Sequence, residues 1–215
     1  MTKRNLDNEL NDVTYLANKK RKEEAVSNNE LTKLKKLNVR LIHEVPRQHT
    51  IEVRSGTHAP TRKELEIFKS IIGLKKGCFD PHEDKKIVHN WKKFCKLHDW
   101  NVENTKAFLT LKDNGKYICR KAELKKFVQF LANGLPNRTL YSVYHRFRTL
   151  YSSHENRRYT KEENEMILTY MDQKQYVDER RKFVDLAKVL NRSRASVWRH
   201  YRILQKKRKN ESDSD

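Results

Sequence analysis

Glycine and proline are scarce in this 215-residue chain, at five and four residues. Few runs of Val, Ile or Thr alternate with period two, so an extensive sheet is not expected and helices should dominate. The chain has no long apolar run, signal-peptide pattern or lipidation motif, which argues against a membrane partner. Three cysteines, Cys78, Cys95 and Cys119, are too few and too scattered for a disulfide framework and suit a reducing compartment. With histidines they form the string Cys78-x3-His82-x12-Cys95-x2-His98. A helix over 81–95 would hold Cys78 and Cys95 roughly 25 Å apart at about 1.5 Å per residue, too far to share a zinc ion. Also missing are a glycine loop that could cradle phosphate, a carboxylate set suited to Mg²⁺, and a nucleophile with its base. No catalytic residue, cofactor or metal is therefore expected, and the chain does not read as an enzyme.

Negative charge is the other shortfall. Against 48 Lys and Arg stand 28 Asp and Glu, a formal net charge of +20. Such an excess repels itself, and its natural partner is a polyanion. Hydrophobic and charged residues are nearly balanced at 36% and 35%, which suits small helical modules joined by solvated segments better than one large core.

Residues 1–58 are polar with isolated apolar positions and should be mostly disordered and basic, apart from a short extended run around Thr50–Val53. Over 59–76 a leading helix is expected: Thr61-x-x-Glu64 is a capping box, followed at helical spacing by Leu65, Phe68, Ile71 and Ile72. A new segment then opens with Asp80 as N-cap, Pro81 at the first helical position and Glu83 completing the box, with Ile87, Trp91 and Phe94 forming one apolar stripe. Eighty residues later Tyr159, Glu163 and Ile167 repeat the places of Phe79, Glu83 and Ile87, and Thr160 repeats the cap. Second helices follow at 122–136 and 179–190.

The third helices are NRTLYSVYHRFRTL (137–150) and NRSRASVWRHYRIL (191–204), offset by 54 residues, so the first copy holds 26 residues more than the second. Most of these lie in 100–120, where Asn114-Gly115 marks a turn. Matches at several separated points indicate two copies of one unit, 77–152 and 153–206, followed by a basic then acidic stretch over 207–215.

On the second copy's basic helix, Val197, Tyr201 and Leu204 form the seat, while Ala195, Arg199, Arg202 and Lys206 face outward. The first copy seats Val143, Phe147 and Leu150 and turns Tyr141, His145 and Arg148 outward. From 191 to 210 there are eight Lys or Arg and no acid, whereas an ordinary solvated helix mixes signs for i,i+4 pairing. Acids gather instead at the starts of the first helices, where they complement the helix dipole. A helix of this kind fits the major groove of duplex DNA, where an outward arginine can bond guanine O6 and N7 together.

The pattern of an aromatic, Thr/Asp-x-x-Glu, then F-x-x-L-A-x-x-L-N-R-S over 183–193 and V-x-x-x-Y-R over 197–202 resembles the Myb/SANT repeat. In the first copy V-x-x-L-A-x-x-L-P-N-R-T over 128–139 keeps the frame. The family's three spaced tryptophans fall on Tyr159, Phe183 and Tyr201, and in the first copy on Phe79, Val128 (with Phe127 beside it) and Phe147. Lys75-Lys76-Gly77 before an aromatic and an acidic capped helix, with a long first repeat, looks most like the Myb-type RNA polymerase I transcription-termination factors. The resemblance spans about 77–205. It implies an all-α chain of two tandem three-helix modules of helix-turn-helix type that bind double-stranded DNA in the nucleus or nucleolus. Base-reading positions carry over to Trp198, Arg199 and Arg202, and in the first copy to Tyr144, His145 and Arg148. Trp198 and Tyr144 either touch bases or pack against the neighbouring module. Arg192, Arg194, Lys206, Lys207, Arg208, Arg146 and Arg138 read as phosphate contacts, which position without specifying sequence. Arg138 and Arg192 read equally well as helix-start residues with local bonds.

The main rival is a SANT-type module that binds histone tails or other proteins of a chromatin or transcription complex, a reading favoured in the first copy by Tyr141 and His145. RNA binding by charge alone is a further reading, although no sheet presents aromatics. The clusters at 19–22 and 206–209 suit nuclear import or DNA contact equally. Residues 1–58 and 100–120 have no other assigned role and are the expected protein-partner surfaces. Six to eight neutralised phosphates would give log K a slope of about −5 to −7 against log salt.

Overall fold

The computed structural model describes residues 3–54, 56–109, 112–113, 116–152, 154–155, 157–172 and 179–212. The chain divides into a central unit, Val26–Ser152, and a split unit made of Met1–Ala25 with Ser153–Asp215. Among the described residues the architecture is all-helical apart from one two-residue antiparallel ladder.

The split unit begins with α1 (Lys3–Glu23), far upstream of its other helices. The central unit runs through α2 (Asn28–Lys35), α3 (Arg47–Ile51), α4 (Arg62–Ile71), α5 (Pro81–His98), the short α6 (Lys106–Leu109), the ladder β1 (Lys112–Asp113) and β2 (Lys116–Tyr117), α7 (Lys121–Leu131) and α8 (Leu140–Leu150). The remainder of the split unit is α9 (Lys161–Asp172), α10 (Glu179–Val189) and α11 (Arg194–Ser212). The local signals explain most helix starts. Ser27, Thr61 and Asp80 each close a capping box with Glu30, Glu64 and Glu83, and Thr160 exchanges bonds with Glu163 at 2.9 and 3.2 Å.

In the central unit α5, α7 and α8 pack on one another around an aromatic core. Trp91 is fully buried, with Phe94, Phe108, Phe127 and Phe147 ringed around it at centroid distances of 5.2–6.2 Å. Its indole Nε1 donates to the Val102 carbonyl at 3.0 Å. Phe127 and Val128 are both fully buried in this core. The extra residues of the first copy supply core: Trp100, Ala107, Phe108 and Cys119 are buried. Within the stretch expected as a partner surface these side chains are spent on the core, with Phe108 packed against both Trp91 and Phe94. The expected turn at Asn114-Gly115 lies outside the described residues, but Lys112 pairs with Tyr117 and Asp113 with Lys116 on either side.

The described part of the segment expected to be mostly disordered, residues 3–54 and 56–58, carries helices α1, α2 and α3. Val13 and Ala17 of α1 are buried in the split unit's core with Ile167, Tyr170, Phe183 and Leu186. Thr14 bonds Tyr170 Oη at 3.0 Å, Lys20 donates to the Val189 carbonyl at 2.9 Å, and Arg21 pairs with buried Asp185. The basic cluster at 19–22 is thus partly spent inside the fold. Leu34, Leu37 and Val39 join the central core; of the run expected to be extended around Thr50–Val53, the first two residues end α3 and Glu52 beyond them is extended, while His49 of α3 lies against Phe68 of α4.

Candidate nucleic-acid interface

The third helix of the split unit, α11, starts where Asn191 takes a left-handed φ of 52° and Ser193 caps the amide of Ser196 at 3.1 Å. Val197 is fully buried, and Tyr201 and Leu204 pack against the same core, with Tyr201 edge-on to Phe183 at 5.7 Å. Once that side is seated, the 3.6-residue period turns Ala195, Arg199, Arg202 and Lys206 to solvent; these four are exposed, as are Arg194 at the helix start and Lys207. Among the described residues no carboxylate pairs with Arg194, Arg199, Arg202, Lys206 or Lys207. Trp198 is 49% exposed on the same helix, with the Arg202 guanidinium 6.0 Å from its ring centre. The tryptophan therefore shares the basic face and is not part of the seat. His200 turns the other way: its ring stacks on Tyr159 at 3.7 Å and its Nε2 bonds Asn164 at 2.6 Å. Burial, with Arg192 nearby, lowers its pKa and favours the neutral ring. Arg208 is committed to an exposed ion pair with Asp172 at 2.6 Å, so it is not an unpaired phosphate contact.

The third helix of the central unit, α8, presents far less charge. Thr139 caps the Ser142 amide at 3.1 Å, Val143 and Phe147 are fully buried, and Leu150 packs on the core's edge. His145 and Arg148 are exposed, with Tyr141 half-buried beside His145. Tyr144 is buried and its hydroxyl donates to the Phe108 carbonyl at 2.8 Å, so it is withdrawn as a base contact. Arg146 is half-buried in a two-pronged pair with Asp84 at 2.7 and 2.6 Å, which neutralises the charge expected to meet phosphate.

Of the two readings of Arg138 and Arg192, phosphate contact and helix-start residue with local bonds, the second is the one their bonding fits. Both are almost fully buried. Arg138 bonds Glu83 through Nε and an Nη at 2.8 Å each, donates to the carbonyls of Lys75, Gly77 and Cys78, and lies 4.2 Å from the centre of the Phe79 ring. Arg192 repeats this, with Glu163 at 3.0 Å, the carbonyls of Arg157 and Arg158, and the Tyr159 ring at 3.9 Å. Each arginine thus locks the entry to the third helix onto the start of the first. The repeat carried the signal, since the same Glu and Arg recur in both copies.

No family model, curated protein or solved structure matches this chain. The likeness to Myb/SANT repeats rests on the residue pattern given above. Among the described residues no group of three or more His, Cys, Asp or Glu is placed to hold a metal ion, and no helix is long and apolar enough to cross a membrane. Cys95 and Cys119 are buried, and burial pushes their thiols up to about 12 and about 11, far from the reactive thiolate form.

Sequence reading missed one group beside α8. Glu52 is buried and accepts from the amides of Leu140 at 2.5 Å and Tyr141 at 3.2 Å. His49 Nε2 bonds the Arg138 carbonyl at 2.8 Å, and Gln48 donates to the Pro136 carbonyl at 3.1 Å. No local pattern announces partners nearly ninety residues away in the chain.

Proposed function

We propose that the chain is a sequence-preferring double-stranded DNA-binding protein acting in transcription or chromatin regulation in the nucleus, and that α11 is the helix that enters the major groove. One observation carries the reading. The face of α11 opposite its seat presents Arg199, Arg202 and Lys206 to solvent, with Arg194 and Lys207 exposed at its flanks, and none of them has a carboxylate partner among the described residues. Unpaired cations on one face of a seated helix give it a potential that attracts a phosphate backbone. Arg199 and Arg202 are the base-reading pair, with Trp198 beside them. Arg194, Lys206 and Lys207 meet phosphates.

A second reading belongs to the central unit alone. With Tyr144 buried and Arg146 paired to Asp84, α8 offers Tyr141, His145 and Arg148, a mixed surface closer to a SANT-type protein-binding module.

Selection of binding sites from random duplex DNA at two salt concentrations tests the main reading. An enriched motif is expected. Arg199→Ala and Arg202→Ala should each cost about 1–3 kcal/mol on that motif and relax its specificity, while Lys207→Ala weakens all sequences alike. Equal binding by these variants and the wild type would remove the base-reading role.

A further inference from the structure

The first helices of the two copies carry opposite charge on the same face. In α5 the side holding Ile87, Trp91 and Phe94 is buried, and the 3.6-residue period turns Lys85, His89, Lys92 and Lys96 to the opposite side, where all four are exposed. His82 and Lys93 are exposed at its flanks. The two acids within α5 are engaged elsewhere, Glu83 with Arg138 and Asp84 with Arg146. Among the described residues no carboxylate pairs with Lys85, Lys92 or Lys96. Eighty residues on, the same places in α9 hold Glu162 for His82, Glu165 for Lys85, Thr169 for His89 and Asp172 for Lys92. A three-helix unit therefore seats its first helix with acids on this face, and the packing of α5 does not call for lysine there.

A helix face that merely meets water mixes signs, because like charges four residues apart repel and opposite ones attract. The stripe from Lys85 to Lys96 does the reverse, with Lys92 and Lys96 four apart and no acid among them. Its length is about 16 Å, over which one strand of duplex DNA carries about five phosphates. No large apolar side chain of α5 is exposed. Protein interfaces are depleted in lysine and are anchored by aromatic side chains and arginine, so a protein partner fits this face poorly. The stripe also lacks arginine, and with it the planar fork that reads guanine. A lysine ammonium meets phosphate as a point charge, which holds a backbone without reading its sequence.

We infer that the outward face of α5 is a second, sequence-independent contact for duplex DNA, in which Lys85, Lys92 and Lys96 neutralise backbone phosphates. The partner class rests on the reading of α11 as a DNA helix, but the contact stands on the charges of α5 itself. The two copies thus meet DNA through different helices: the split unit reads with its third, and the central unit grips with its first. On a duplex trimmed to the motif that α11 selects, the salt dependence counts α11 alone.

The test uses the full chain with the α11 cations removed (Arg194→Ala, Arg199→Ala, Arg202→Ala, Lys206→Ala and Lys207→Ala) and duplex DNA of random sequence. Binding should persist without sequence preference, with a slope of log K against log salt of about −3, as three neutralised phosphates give. Adding Lys85→Gln, Lys92→Gln and Lys96→Gln should flatten that slope and weaken binding on the order of a hundredfold at about 0.1 M salt. If that chain folds poorly, Lys85→Glu with Lys92→Asp installs the residues that α9 carries at the same places, and the same loss is expected. No duplex binding once the α11 cations are gone, or binding that the α5 variants leave unchanged, overturns the contact. So does a poly-glutamate peptide whose binding needs the α5 lysines when duplex binding does not, which would assign the face to an acidic protein. A selected motif that depends on Arg199 survives any of these failures, and the α5 contact survives if selection yields no motif.

Discussion

Two arginines that a charge count would assign to nucleic acid are instead bonded heavily inside their units. Arg138 and Arg192 each satisfy a buried glutamate, two or three carbonyls and an aromatic face. Removing one partner of such a pair strands the other charge in a poorly hydrated place. Arg192→Ala should therefore destabilise the split unit by about 3–5 kcal/mol in denaturant melts, and Arg192→Lys should recover little because an ammonium cannot reproduce the planar fork. A loss below about 1 kcal/mol, the size of an exposed pair, would rule the lock out. The same residues set a pH dependence. The hydrogen bond from Arg138 holds Glu83 at about 2, below its ordinary 4.5. For Glu163 burial acts upward, but the bonds from Arg192 and Arg157 outweigh it and hold it low. A depressed carboxyl stabilises the fold above its unfolded pKa, and that contribution is lost as pH falls through 4.5 towards the folded value. Burial also lowers His43, His49, His98 and His200, whose unfolded forms gain protons first, so stability begins to fall below about pH 6.5. Glu52 is raised by burial and works against this trend. The urea midpoint should drop steadily from pH 7 to pH 3. A flat profile would mean that these groups are not buried as described.

At the scale of single elements, local chemistry decided most helix starts. The boxes at Thr61, Asp80 and Thr160 could be read from sequence because cap and partner lie three residues apart, and α4, α5 and α9 begin beside them. Asp80→Ala should cost about 1 kcal/mol of central-unit stability, the usual worth of an N-cap. The seat and outward line of α11 were equally legible, since both follow from a 3.6-residue period. Helix α1 was not. Its 21 residues are mostly polar, and only tertiary contact reveals that Val13 and Ala17 fill a gap in a core built some 150 residues later. Ala17 is fully buried, so Ala17→Leu should overpack that core and lower split-unit stability by about 1–3 kcal/mol. An unchanged thermal midpoint would show that α1 is a bystander. The α3 segment was hidden for the same reason: His49 and Glu52 are bonded to backbone of the α7–α8 turn and of α8 itself, not to their own neighbours.

For the whole molecule the count of 48 Lys and Arg overstates the cations available to a polyanion. Arg21, Arg138, Arg146, Arg192 and Arg208 are all engaged with carboxylates. With about three to five phosphates met by the unpaired cations of α11, log K should fall with log salt at a slope of about −3 to −5, shallower than the charge count alone implies. A slope of −6 or steeper in filter-binding or fluorescence titrations would bring the central unit back as a second DNA contact. By itself the sequence determined the helical class, the caps, the duplication and the sides of the third helices, because each depends on residues within a turn or two, or on a pattern repeated in register. Only the tertiary structure decided which basic residues remain unpaired, which core α1 completes and what covers the start of α8. Those outcomes depend on partners 29 to 169 residues away. A buried charge is held by whatever the fold brings within about 3 Å, and no sequence window contains that information.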